Sequence, residues 1–193
     1  LNAPGRNVQI VFAGKAHPAD DGGKHHLQRI YKRALDPAFG GRVAFLEGYD
    51  LHVAHFLVQG CDVWLNTPRK PLEASGTSGM KAAINGTPTL SIGDGWWAEG
   101  YNGANGWLIE GRADPNDHGA QDWADAQAIY TLLEQQVVPA FYERDATGVP
   151  RRWVETVRQS IMSVLPRFTT RRMVKEYARR MYVPALGGAH AGK

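Results

Sequence analysis

The sequence predicts an α/β fold: a parallel sheet with helices on both faces, followed by a helical C-terminal extension. Three observations carry that expectation. Short apolar segments alternate with longer amphipathic ones through the first 111 residues. The short segments are almost continuously apolar, as strands covered on both faces must be. From Asp122 onward the periodicity is helical throughout. The pattern places one core in residues 1–121, a helical extension packed on it in 122–185, and a flexible, glycine- and alanine-rich tail in 186–193.

Taken in order, VQIVFAG (8–14) is a strand rich in β-branched residues and closed by glycine. Asp20–Leu35 reads as a helix, with Leu27, Ile30, Tyr31 and Ala34 at spacings of three and four. RVAFLEG (42–48) is the second strand, followed by a helical stretch in which Leu51, Ala54, His55 and Val58 share a face. VWLNT (63–67) is the third strand, Ser75–Asn85 a short helix, TPTLSIG (87–93) the fourth strand and GWLIEG (106–111) the fifth. Helices then fall at 122–135, 136–145, 151–165 and 170–182, with Pro139, Gly148-Val-Pro150 and Pro166 as the expected breaks.

Composition narrows the function classes. A chain of 193 residues with 43% apolar and 21% charged residues is globular and long enough for a substantial core. Its longest apolar runs are about half a membrane span, which excludes a transmembrane helix and a membrane partner. The single cysteine, Cys61, excludes a disulfide framework and any multi-cysteine metal site, points to a reducing cytoplasm, and reads as a small buried hydrophobe. The net charge is +3, and most of the basic excess falls between Arg151 and Arg180, at helical spacing around Trp153, Val157, Ile161 and Val164. That is the wet face of amphipathic helices and not a nucleic-acid surface. The chain opens Leu-Asn-Ala-Pro, with neither an initiator methionine nor a targeting pattern, so Leu1 reads as an interior point of a longer product.

The stretch PLEASGTSGMK (71–81) carries the most chemistry. It joins the end of a strand to the start of a helix, where ligands of open α/β sheets bind. Gly76 and Gly79 permit close backbone approach, and Ser75, Thr77 and Ser78 offer hydroxyls and free amides, a plausible phosphate cradle. The spacing fits neither a Walker loop nor a G-x-G-x-x-G fingerprint. Lys81 lies four residues after Thr77 on the same helix face, where it could form a Schiff base to pyridoxal phosphate. The plainer alternative is a Ser or Thr N-cap followed by a solvent-facing lysine. His17 reads as a loop residue before Pro18, and His25, His26, His52 and His55 lack metal-ligand spacing. Trp96, Trp97, Tyr101 and Trp107 are either a sugar-stacking platform or core; Trp107, inside a strand, reads as core.

EASGTSGMK (73–81) closely resembles the pyridoxal-phosphate attachment segment of the glycogen (α-glucan) phosphorylases, with GTSG in place of the GTGN of animal and plant enzymes, as in the shorter bacterial type. FAGKAHP (12–18), FLEGYD (45–50), NTPRKPLEASGTSGMKAAING (66–86), DGWWAEGYNGANGW (94–107) and PRFTTRRMVKEYARRMY (166–182) resemble the same family in the same order. The resemblance implies a Rossmann-like C-terminal lobe of a GT-B glycosyltransferase, lacking its first strand and the opposing N-terminal lobe on which catalysis depends. It implies pyridoxal 5′-phosphate as cofactor, Lys81 as its Schiff-base lysine, and Thr77 with the amides of Gly76 and Ser78 as its phosphate site. Glu73, Ser75 and Gly76 would line the glucose subsite, and Lys15 and Tyr49 match catalytic positions near the cofactor. For each of these two a bland role stays open, a loop lysine and a core ring. The implied reaction transfers a terminal glucosyl unit of an α-1,4-glucan (glycogen or maltodextrin) to inorganic phosphate, giving α-glucose 1-phosphate with retention, in a cytoplasmic enzyme that could form a homo-oligomer. The competing readings are a sugar-nucleotide-dependent glucan synthase on the same lobe, which has no need of Lys81, and a non-catalytic carbohydrate-binding module.

Overall fold

The computed structural model describes residue 1, residues 4–114 and residues 116–190. The chain forms two compact units, residues 1–57 and 58–193. This division differs from the single core expected over 1–121.

In the first unit, β1 (Ile10–Ala13) pairs in parallel with β2 (Val43–Leu46), Ile10 opposite Val43. Between them runs α1 (Asp21–Leu35), whose start is fixed by Asp20: its carboxylate accepts the Gly23 N–H at 2.8 Å. The α1 ring of Tyr31 meets Phe45 of β2 edge-on, the centroids 6.2 Å apart. Next comes α2 (Leu51–Gly60), within which the two units divide. Its covered face runs through Val53, Ala54, Leu57 and Val58, whereas Leu51 is 90% exposed. The expected face containing Leu51 and His55 is therefore turned by about one position.

The second unit holds a parallel sheet in the order β3 (Trp64–Asn66), β4 (Thr89–Ile92), β5 (Gly106–Ile109). The helix α3 (Thr77–Ile84) connects β3 to β4, and the short α4 (Trp96–Gly100) lies between β4 and β5. Alternation along β5 shows that both sheet faces are covered. Trp107 and Ile109 join Leu90, Val137 and Ala140 in one apolar cluster, while Leu108 packs against a second cluster of Ala83, Trp96, Trp97 and Val164. The parallel α/β class expected from the pattern is what the chain forms, as a two-stranded and a three-stranded sheet flanked by helices.

The C-terminal helices are α5 (His118–Leu132), α6 (Val138–Tyr142), α7 (Arg151–Val164), α8 (Thr170–Tyr177) and α9 (Val183–His190). Pro139 does not break its helix. A π-helical turn, Leu133–Val137, widens the chain just before it, with the Val138 N–H donating to the Leu133 carbonyl. Such a turn absorbs the ring that would otherwise clash one turn back. The same device recurs at Ala178–Tyr182, ahead of Val183-Pro184, and carries the helix on through His190 where a tail from residue 186 was expected. Residues 191–193 of that expected tail lie outside the described residues. The late basic residues are largely paired on helix surfaces, as Arg152 with Glu143, Arg158 with Glu155 and Arg172 with Glu176 at 3.2, 2.6 and 2.9 Å.

Candidate active site

Six of the eight expected site residues lie in one segment of the second unit. Pro71–Gly76 leaves β3 and enters α3 at Gly76, which adopts a left-handed conformation (φ +76°) and supplies no side-chain cap. Among the described residues the Thr77 and Ser78 amides that open α3 have no hydrogen-bond partner, whereas the Gly79 N–H donates to the Gly76 carbonyl at 3.2 Å. The alternative of a Ser or Thr N-cap does not describe this helix. A Cβ on Gly76 would approach Glu73 Oε1 to 3.1 Å, so only glycine lets this turn close beneath the carboxylate. Glu73, Ser75 and Ser78 are half-buried, and Thr77 and Lys81 are exposed. Thr77 and Lys81 stand one turn apart on the same helix face. Among the described residues Lys81 Nζ has neither a hydrogen-bond nor an ion-pair partner.

A turn after β4, not anticipated as part of the site, supports this segment. The carboxylate of Asp94 accepts the Glu73 N–H at 2.9 Å, and the Trp96 N–H donates to the Ser75 carbonyl at 2.8 Å. The sequence signal available for it was the Asp-Gly pair placed directly after a strand. Trp96 and Trp97 are 3% and 1% exposed and Trp107 is 7% exposed, so these rings are core and not a sugar platform. The Trp97 indole N–H donates to the Trp107 carbonyl.

Beside the segment lie two clefts. One, of about 960 Å³, opens at the carboxyl ends of β3, β4 and β5 and is rimmed by Lys70, Arg112, His118 and the Arg69–Asp122 ion pair (2.6 Å). The other, of about 370 Å³, separates Ala74 and Ser75 from Arg172, Glu176 and Tyr177 of α8. Cys61 is half-buried, and burial raises its thiol pKa. No cluster of metal-ligating side chains occurs among the described residues, and none of the described helices is long and apolar enough to cross a membrane.

Lys15 and Tyr49 belong to the first unit, at the carboxyl ends of β1 and β2. Lys15 is exposed and Tyr49 half-buried. Asp50, beside Tyr49, caps α2 by accepting the Val53 N–H at 2.8 Å. That amide, above all, lowers the Asp50 carboxyl pKa; burial opposes it, and the His52 amide and the His52 and Lys15 charges add to it. Lys15 and the Tyr49–Asp50 pair thus share one edge of their sheet. His17 is a loop residue, its Nδ1 accepting the Ala19 N–H at 3.1 Å.

The second unit is thus a parallel α/β scaffold that presents, in one segment, a helix start without a side-chain cap, a half-buried carboxylate before it and an unpartnered lysine one turn into it. The carbohydrate phosphorylase family model matches residues 3–100, half of the chain, and the chain belongs to that family. It is 54% identical to glycogen phosphorylase of Aquifex aeolicus, over 96% of this chain and 26% of that protein. Identity to glycogen phosphorylase of Mycobacterium tuberculosis is 51%, over 93% of this chain and 21% of the relative. For maltodextrin phosphorylase of Thermococcus litoralis it is 48%, over 98% and 22%. The chain spans about a quarter of the length of the curated relatives it matches.

Proposed function

We propose that this chain is the cofactor- and glucose-binding portion of a cytoplasmic α-1,4-glucan phosphorylase. The reaction transfers a terminal glucosyl unit of glycogen or maltodextrin to inorganic phosphate, giving α-glucose 1-phosphate with retention. The carrying observation is the uncapped start of α3, with Glu73 before it and the unpartnered Lys81 one turn along. The names of the relatives support the reading.

The segment fits pyridoxal 5′-phosphate: amide donors at α3 suit a phosphate dianion, and an exposed amine suits an aldehyde. Lys81 would hold the group covalently, and Thr77 with the amides of Gly76 and Ser78 would hold its phosphate. When bound, the group supplies a phosphate that relays a proton to the substrate phosphate. The chain's own residues do the rest. Glu73 accepts hydrogen bonds from sugar hydroxyls, and Ser75 and Gly76 complete the glucose contact. Lys15 and Tyr49, carried by the first unit, would supply the reaction with positive charge and a hydroxyl, as the family resemblance implies. In the transfer the bond from glucose C1 to the glycosidic oxygen breaks. That oxygen takes a proton from inorganic phosphate, and a phosphate oxygen bonds to C1 on the same face.

The remaining cleft wall and the principal cations for substrate phosphate belong to the part of the family's length that this chain does not span. At full family length the protein should release glucose 1-phosphate from maltodextrin and phosphate, and Lys81→Ala should abolish the release; the 193-residue chain alone should release none. A full-length protein that folds, yet releases no glucose 1-phosphate in the presence of pyridoxal 5′-phosphate, would remove the reading.

A further inference from the structure

The turn Asp94–Gly95–Trp96 touches the candidate segment at four points. The Asp94 carboxylate accepts from the Glu73 amide, and the Trp96 amide donates to the Ser75 carbonyl, so hydrogen bonds flank Ala74 on both sides. Trp96 also lies against the start of α3. A Cβ on Gly76 would meet its Cδ1 at 3.4 Å, and one on Gly79 its Nε1 at 2.8 Å. Gly95 makes the approach possible. Its backbone (φ +52°, ψ −133°) is one that side-chain-bearing residues avoid, and a Cβ there would stand 2.7 Å from the Ser75 carbonyl oxygen.

Asp94 is only 8% exposed and has no ion-pair partner among the described residues. A carboxylate withdrawn from water is costly unless it is hydrogen-bonded, and the bond that Asp94 accepts here comes from a backbone amide. The amide it fixes is that of Glu73, whose side chain is assigned to the sugar.

We propose that Asp94, Gly95 and Trp96 are positioning residues for the glucose subsite: the turn after β4 fixes the backbone of Glu73 and Ser75, and sugar affinity depends on it while cofactor attachment at Lys81 does not. This rests on the phosphorylase reading and adds to it residues that act through the backbone of Glu73 and Ser75. Displacing a binding group by about 1 Å can cost on the order of a hundredfold, so the effect should be large.

The test compares parent, Asp94→Ala, Asp94→Asn and Gly95→Ala by two readouts. The first is amide hydrogen exchange at Glu73 and Trp96 in the 193-residue chain. Asp94→Ala should speed exchange at Glu73 by about tenfold to a hundredfold. Asp94→Asn, which keeps an acceptor oxygen in place, should retain most of the protection, and Gly95→Ala should expose Trp96. The second is kinetics of the full-length holoenzyme. Asp94→Ala and Gly95→Ala should raise KM for glucose 1-phosphate by about tenfold or more with pyridoxal content per chain unchanged, and Asp94→Asn should restore it. Unchanged exchange at Glu73 in Asp94→Ala overturns the proposal, as does lost protection with unchanged KM, or a fall in cofactor content that parallels the KM change. If the parent enzyme carries no pyridoxal on Lys81, the phosphorylase reading is what fails. The exchange readout then decides alone whether the turn holds the Glu73 backbone.

Discussion

The contact between Gly79 and Trp96 yields the sharpest stability prediction. A Cβ at position 79 would sit 2.8 Å from Trp96 Nε1, 3.1 Å from Cζ2 and 3.2 Å from Cε2, all inside ordinary van der Waals separation. The indole has little room to yield: it is 3% exposed, clustered with Ala83, Trp97 and Val164, with the Phe168 ring centroid 5.3 Å away. Overpacking a well-filled core costs about 1–3 kcal/mol. Against this, alanine in place of a helical glycine gains about 1 kcal/mol. Gly79→Ala alone should therefore destabilise by as much as about 2 kcal/mol. In a Trp96→Leu background, where the three colliding atoms are gone, the same change should stabilise by up to about 1 kcal/mol. The double-mutant cycle cancels the large cost of Trp96→Leu itself and leaves a coupling of about 1–3 kcal/mol. Urea unfolding followed by tryptophan fluorescence is the assay, because all six tryptophans lie within residues 58–193 and report that unit. A coupling below about 0.5 kcal/mol, the level of independent sites, would refute the packing argument. The same contact gives a physical reason for glycine at 79 in GTSG: a larger side chain there competes with the indole of DGWW for one volume.

Glu73→Gln in the full-length enzyme should lower kcat/KM for glucan phosphorolysis by about tenfold to a hundredfold, since a charge-assisted acceptor is worth roughly 1.5–3 kcal/mol. Cofactor content should stay normal, and unchanged kinetics would take Glu73 out of the glucose subsite. Asp145 accepts from the Thr147 hydroxyl, the Arg151 guanidinium and the Val149 amide, which together hold its carboxyl well below the ordinary carboxylate value of 3.8. A depressed folded value means that this stabilisation is present above pH 3.8 and lost as pH falls through the folded value. Asp145→Asn should thus melt below the parent at neutral pH, with the gap closing in strong acid; an equal gap at both pH values in thermal melts would contradict this.

Much of the fold was legible because strands and caps write short-range signals. The apolar runs at 8–14, 42–48, 63–67, 87–93 and 106–111 each contain a strand, and the helix expected from Asp20 starts one residue later, with Asp20 as its cap. What escaped depends on long-range packing. Trp96 and Trp97 look alike as exposed platform or core until Ala83 and Val164 are placed beside them. Pro139 reads as a break because the π turn that accommodates it leaves no mark in a 3.6-residue period. In the candidate segment, the helix after the third strand was legible from the sequence, although it starts at Thr77 and not at Ser75, and Lys81 stands one turn along it as the spacing required. Asp94 was not, because its bond to the Glu73 amide spans 21 residues of sequence.

Labelling decides whether the start of α3 with Lys81 holds pyridoxal 5′-phosphate. The 193-residue chain would be saturated with pyridoxal 5′-phosphate, reduced with borohydride and digested, and the modified peptide identified by mass. The label should fall on Lys81, disappear in Lys81→Ala, and form at higher cofactor concentration when Gly76→Ala crowds Glu73 at the phosphate turn. Labelling centred on Lys15 or Lys70, or spread evenly over the chain's lysines, would contradict it.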